Sequence, residues 1–245
     1  MSDDAEKLAV RERDRLGISV DVQLQWNNPN EAFRVWRSAL ENVNILVFRM
    51  SFPVEEARGF TLPGNWLPTI VVNGADAIQA RIFTLLHEYC HLLLDTAGIC
   101  LPKEAAAANG DQAQEVFCNH FAGAFLVPKD ALIRESSGQT AEQLASRFKV
   151  SRHVVLRRML ISNLISAGEY QSTVGKWAKQ AKDNPPRKGA GFELPPEKCV
   201  REHGRRFVSL VVEAKRQKLI TYSDVSEMLG IRLKHLGKVH ALLGG

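Results

Sequence analysis

The chain opens with a helical stretch from about Asp4 to Leu16, which Gly17 stops. "NPNEAFRVWRSALENV" follows with a Pro-Asn start and apolar Phe33, Trp36 and Leu40 at helical spacing, so it predicts a second helix. "NILVFRM" and "PTIVVN" are short apolar or β-branched runs bounded by turn residues and read as strands. Between them, "ARGFTLPGNW" reads as a strand followed by a turn. A helix is expected over Ala77–Thr96 with Gly98 as its C-cap, and another from Gln112 until Pro128 ends it. "KEAAAANGDQ" between these two helices reads as a small-residue loop or frayed helix. Strands and then two helices give an α+β domain with a small sheet, to about residue 130. "DNPPRKGAGFELPP" (183–196) has two Pro-Pro pairs and no regular pattern, so it reads as a linker. The expected division is therefore a core over 1–135, a helical segment over 136–182, a linker over 183–191 and a C-terminal helical basic domain over 192–245.

Composition adds little, but charge adds an asymmetry. Hydrophobic content of 45% and charge of 24% are those of an ordinary soluble globular chain. No apolar run approaches the roughly 18 to 20 residues that span a bilayer, so no membrane contact is expected. The N-terminus lacks an apolar segment of the kind a secretory signal needs. The four cysteines, Cys90, Cys100, Cys118 and Cys199, form no CxxC pair and read as reduced thiols in a cytoplasmic protein. Residues 1–140 hold 12 Lys+Arg against 18 Asp+Glu, whereas residues 141–245 hold 20 against 9. The basic half suits phosphate or an acidic surface, although a solvated basic face has the same composition.

The candidate chemistry sits in "FTLLHEYCHLLLD" (83–95). Residues four apart on a helix lie one turn above each other, so His87 and His91 can present ring nitrogens to one ion. Glu88 points about a quarter-turn aside, where it reaches the attacking water without ligating the metal. Zinc acidifies such a water to a pKa of about 7, and the carboxylate takes its proton. This is the physical content of HExxH. The neighbours Ile82, Phe83, Leu85, Leu86, Leu92, Leu93 and Leu94 are apolar, and a buried helix does not carry two histidines and a glutamate unpaired. A catalytic site needs a third ligand and one open position. Glu115, at the start of "EVFCNHFAGAFLVP", can return on an antiparallel helix. Asp95 and His120 are the alternatives, with Asp95 better suited to orient an imidazole N–H.

The two segments in tandem resemble the ImmA/IrrE zinc metallopeptidases, whose pattern is a Phe-rich HExxH helix followed by E-x-x-A-N-x-F-A…P. "LGISV", "RGF", "PTIVVN", "FKVSRHVVLRRM" and the C-terminal "FVSLVVEAKRQKLITYSDVSEMLGIRLKHLGKV" extend the resemblance over most of the chain. It implies a zincin-like peptidase core: a small mixed sheet with an HExxH helix and a Glu helix, followed by helix-turn-helix-like segments. It implies Zn2+ held by His87, His91 and Glu115, with Glu88 as general base and Asn119 on the family's asparagine. It also implies that "PTIVVN" is the edge strand along which an extended substrate lies. Two positions depart from the family: Cys90 stands for its usual glycine and Cys118 for its usual alanine. A thiol beside a ligand suggests oxidative sensitivity.

In the basic half, "TAEQLASRFKVSRHVVLRRML" has helix-turn-helix spacing at Leu144, Ala145, Phe148, Val150 and Val155, with Lys149 where glycine is usual. Arg152, Arg157 and Arg158 flank its second helix and could meet phosphates. "YSDVSEMLGIRLKHLGKV" fits better, with Ser226 at the small position, Gly230 in the turn, Leu236 on the second helix and Lys234 beside it. Both could equally be hairpins that pack on the core or grip a protein. The function expected is a zinc endopeptidase acting on a regulatory protein; in the family the target is a helix-turn-helix repressor of a mobile element or stress regulon. The rival readings are a DNA-binding or antitoxin-like regulator with a zinc core, or an accessory protein that binds a repressor without cutting it. No spacing singles out an oxyanion donor among Tyr170, Tyr222 and His203.

Overall fold

Helix α1 (Ser2–Leu16) ends where Gly17 takes φ +68°, a backbone conformation that strains any residue with a Cβ. The computed structural model describes residues 2–64, 66–96, 99–100, 112–183 and 193–244. Ser19 caps the short α2 (Val20–Gln25), an element the hydrophobic pattern did not announce. Asn28 caps α3 (Pro29–Asn42) by accepting from the backbone N–H groups of Asn30 and Glu31, with Pro29 in the first turn. The face of α3 bearing Phe33, Trp36 and Leu40 is buried.

Four strands follow the order β1-β3-β2-β4, with β1 (Leu46–Met50), β2 (Gly59–Leu62), β3 (Thr69–Asn73) and β4 (Ile99–Cys100). β1 runs parallel to β3, pairing Val47 with Ile70, while β2 is antiparallel to both β3 and β4. The sheet is therefore mixed. "PTIVVN" is not an edge strand: β3 is hydrogen-bonded on both sides, and Ile70, Val71, Val72 and Asn73 are all buried. Its continuous apolar run is what a strand covered on both faces needs.

Helix α4 (Ile78–Leu93) lies against β2 and β3, and α5 (Gln112–Leu126) packs between α4 and α1. The fold is α+β. Beyond it come α6 (Lys129–Glu135), α7 (Ala141–Phe148), α8 (Arg152–Ile161) and α9 (Ala167–Asp183). One apolar core runs from Ala5 to Trp177 and takes in residues on both sides of the boundary expected at 135. A second core of Cys199, Val208, Val211, Val225, Leu229, Ile231 and Val239 belongs to α10 (Pro195–His203), α11 (Arg205–Arg216), α12 (Tyr222–Leu229) and α13 (Leu236–Leu243). Apart from Asp183, the expected linker 183–191 lies outside the described residues, as do Gly98 and most of "KEAAAANGDQ". No helix among the described residues is long and apolar enough to cross a membrane.

The C-terminal helices dock on the β1 edge. Phe207 packs on Phe48 with ring centroids 5.0 Å apart, and buried Arg37 donates to the carbonyls of Val47 and Arg201 while paired with Glu41 at 3.0 Å. Gly204 allows this approach, since a Cβ there would collide with Glu41 Oε1 and with the Val47 carbonyl.

A second buried cation ties α1 to α8. Arg158 is 1% exposed, donates through Nε to Val127 O, and forks onto Glu6 at 2.5 and 3.0 Å. Burial alone would raise the Glu6 pKa, but bonds from His120 and Arg158 outweigh it and bring it down to about 2. The folded value is depressed, so this stability is present above the ordinary carboxylate pKa of 4.5 and is lost as pH falls from there towards 2. Glu6→Gln should cost on the order of 2 kcal/mol at pH 7, because Arg158 is left without its counter-charge and Glu6 is partly solvated. Urea titrations of both proteins should show that difference shrinking between pH 4.5 and 2.

Candidate metal centre

Helix α4 buries almost everything from Arg81 to His91, including the three polar residues that its apolar neighbours cannot satisfy. His87 is 1% exposed, Glu88 0% and His91 2%. Such groups persist only if paired, hydrogen-bonded or ligated. The partner comes from α5. Glu115 Oε2 lies 3.3 Å from His87 Nε2 and Oε1 lies 3.1 Å from His91 Nε2, while the two imidazole nitrogens are 3.1 Å apart. These three side chains form a group able to hold a metal ion.

The dimensions of that triangle test the fit. A tetrahedral ion with ligands at about 2.0 to 2.1 Å separates its donor atoms by about 3.3 to 3.4 Å. The two nitrogens are 3.1 Å apart and each has one Glu115 oxygen at 3.1 or 3.3 Å, so with one donor atom per residue, all within 4.8 Å of one another, the set is of the size such an ion needs. Two neutral nitrogens and one carboxylate oxygen suit a borderline cation, and a set of three leaves one position open. Burial works against charging His91, but the Cys118 thiol and Glu115 beside it raise its pKa to about 10. Bonds from His87 and His91 bring Glu115 down to about 2.

One oxygen of Glu88 is held from β2. The Thr61 hydroxyl donates to Glu88 Oε2 at 2.6 Å and lies 3.1 Å from the Glu88 carbonyl oxygen. Glu88 Oε1 is buried with no hydrogen-bond partner, and burial raises the pKa of the carboxyl group. Gly59 makes the contact possible: a Cβ there would sit 2.6 Å from Thr84 Cγ2 and 2.7 Å from Val71 O, forcing β2 off the helix. Thr61 was not legible as a site residue, because nothing in the sequence says that β2 lies over Glu88.

The ring of His91 is held by Thr96 and Gln114, not by Asp95. Thr96 Oγ1 donates to the His91 carbonyl at 3.2 Å, lies 3.4 Å from His91 Nδ1, and receives a hydrogen bond from the Gln114 amide. Its hydroxyl proton is thus committed elsewhere, so it can accept from Nδ1–H and leave Nε2 for an ion. Asp95 is exposed with φ 52°, because α4 has ended at Leu93 and the chain has already turned away. His120 pairs with Glu6 at 2.8 Å on the α1 side of α5, and so is not in the cluster. Asn119 stands one turn beyond Glu115 and is exposed, with no hydrogen bond to the cluster among the described residues. The oxyanion candidates are placed elsewhere: Tyr170 faces Arg157, Tyr222 faces Lys215, and His203 stacks on Phe207.

Tyr89 points away from the cluster and donates to buried Glu12 Oε2 at 2.6 Å, which fixes α4 to α1. Cys90 and Cys118 are both fully buried, contrary to the accessibility that oxidative sensitivity requires. The Cys90 thiol and burial push the Cys118 thiol far above its ordinary pKa.

Residues 40–160 match the family model of the IrrE N-terminal-like domain, Peptidase_M78. This stretch is a peptidase domain of that family. The matched span starts within α3 and ends within α8, so it contains the sheet, α4, α5 and all three residues of the cluster. No curated protein matches the chain. The peptidase domain depends on flanking sequence for its packing: α1, which lies outside the matched span, covers α5 and supplies Glu6 and Glu12.

The basic residues fall into two groups. Arg158 cannot meet a phosphate, because it is buried against Glu6. Arg152 lies over the Trp177 ring at 4.4 Å and Arg157 over Tyr170 at 5.9 Å, so both rest against rings of α9, with Arg157 still exposed. Lys234 is exposed.

Proposed function

We propose that the protein is a zinc-dependent endopeptidase whose substrate is a regulatory protein, a helix-turn-helix repressor. The observation that carries this is a ligand triangle beside a buried carboxylate with one oxygen left free. Bound zinc supplies Lewis acidity, polarising a carbonyl and acidifying a water. His87, His91 and Glu115 would hold it, and Thr96 with Gln114 would keep the His91 ring turned towards it. Glu88 Oε1 takes the proton of the attacking water and returns it to the leaving amine. Thr61 fixes Oε2, so the free lone pairs of Glu88 point in one direction.

Thr61→Val should slow hydrolysis about tenfold with metal content unchanged, the scale of one hydrogen bond to a charged group. Steady-state rates on a cleavable peptide with parallel elemental analysis check this. Loss of metal in that variant would instead make Thr61 part of the binding site's frame. Repressor cleavage is tested by incubating the protein with helix-turn-helix repressors encoded near it, with and without a chelator. A discrete, chelator-sensitive cut is the result expected. Hydrolysis of unfolded peptides with no cut in any such repressor would refute the substrate assignment while leaving the chemistry standing.

A further inference from the structure

The two hairpins α7–α8 and α12–α13 are built on one plan. Each opens on a threonine capping box, Thr140 with Gln143 and Thr221 with Asp224. Each turns on a left-handed residue, Lys149 at φ 61°, ψ 31° and Gly230 at φ 60°, ψ 29°. Inward-facing residues recur at identical spacing: Leu144, Phe148, Val150, Val155 and Arg158 in the first, and Val225, Leu229, Ile231, Leu236 and Val239 in the second. Lys149 accepts a conformation that favours glycine, so the turn forms in both. This is the spacing of a DNA-binding helix-turn-helix, whose second helix enters the major groove.

The hairpins differ in what covers the second helix. In the first, Arg158 anchors α8 to Glu6, and α9 lies over Arg152 and Arg157. Arg152 is half-buried there and Arg157 stays exposed, so α9 covers that face in part. In the second, the position corresponding to Arg158 is Val239, which is fully buried in the local core. The outward positions Arg232, Lys234, Lys238 and His240 are exposed, and among the described residues none of them pairs with a carboxylate. The stretch from Ile231 to Gly244 contains no acidic residue. The C-terminal helices dock through Phe207 and the Arg201 carbonyl on β1, whereas Thr61 and Glu88 meet at β2, with β3 between the two strands.

We propose that the C-terminal hairpin, residues 221–243, is a duplex-DNA-binding module, with Arg232, Lys234 and Lys238 on the nucleic acid. An unpaired, acid-free cationic stretch, from Arg232 through the 3-10 turn Leu233–His235 into α13, matches a phosphate backbone, and the helix-turn-helix frame supplies the shape that a merely basic surface lacks. The proposal is independent of the peptidase assignment, since it uses no residue of the metal cluster.

The test is fluorescence anisotropy of the full-length protein with a labelled random-sequence duplex of about 20 base pairs, over a salt series. Arg232→Glu/Lys234→Glu/Lys238→Glu is compared with a control of equal charge change on exposed lysines elsewhere, Lys129→Glu/Lys176→Glu/Lys179→Glu. Wild type should bind with a Kd in the micromolar range at about 50 mM salt, and the hairpin variant at least tenfold more weakly. Its slope of log K against log salt should be shallower by about 2 to 3, near 0.9 for each lost phosphate contact. The control should stay within about threefold of wild type. Circular dichroism melts verify that all three proteins are folded. Equal losses in both variants, or no wild-type binding, would overturn the proposal. So would hairpin-dependent binding to an acidic polypeptide without binding to DNA, which would make this surface a protein contact.

Discussion

Glu88→Gln is expected to keep about one metal ion per chain and to lose peptide hydrolysis by at least about a hundredfold, the usual scale of a general base. The amide matches the carboxylate in volume and keeps an oxygen for the Thr61 hydroxyl, so the packing of β2 on α4 should survive. What is lost is the basic lone pair at Oε1, the atom the fold buries without a partner. Elemental analysis and single-turnover rates on a defined peptide measure the two effects separately. Activity near the wild-type level would move the base elsewhere. Loss of the ion would show that Glu88 is a ligand, against its hydrogen bond from Thr61 on β2.

His87→Ala combined with His91→Ala should abolish stoichiometric metal binding and hydrolysis together. Two of the three donor atoms disappear, and Glu115, a third exposed, has no buried partner left to converge on. The consequence should reach stability as well, because an ion shared by α4 and α5 binds only the folded state. At about a hundredfold excess over its Kd such an ion adds about 2.7 kcal/mol. A chelator should therefore lower the melting temperature of the wild type and leave that of the double variant where it is. Undiminished metal in the double variant would refute the site, and a chelator-insensitive wild-type melt would remove the ion from the folding equilibrium.

The elements whose cause is local were legible. The α4 helix, its two histidines one turn apart and the neighbouring glutamate follow from a 3.6-residue period, which needs no knowledge of the rest of the chain. The caps of α3 and the helix-turn-helix spacing are local in the same sense, and so are β1, β2 and β3 as runs. The third member of the cluster is different. Glu115, Asp95 and His120 are chemically comparable, and only the packing of α5 along α4 brings the first to His87 while sending His120 to Glu6. Asp95 is a reasonable partner for an imidazole by sequence distance, but the helix ends two residues before it.

Strand order, the companion of Glu88 and the fate of the arginines were decided by contacts between residues far apart in sequence. β-branching and the turn residues at its ends mark β3 as a strand but do not say that β1 and β2 flank it, so the expected edge turns out to be an interior position. Arg158 stands in a basic run that reads as a phosphate contact, yet it is neutralised by Glu6, 152 positions earlier in the chain. By itself the sequence determined how His87, Glu88 and His91 group on α4, because that grouping lies within one helical turn. Only the tertiary structure decided which carboxylate closes the triangle, which hydroxyl aims Glu88 and which cations remain in solvent. Those choices turn on burial and on pairings across the chain, whose energies no local pattern encodes.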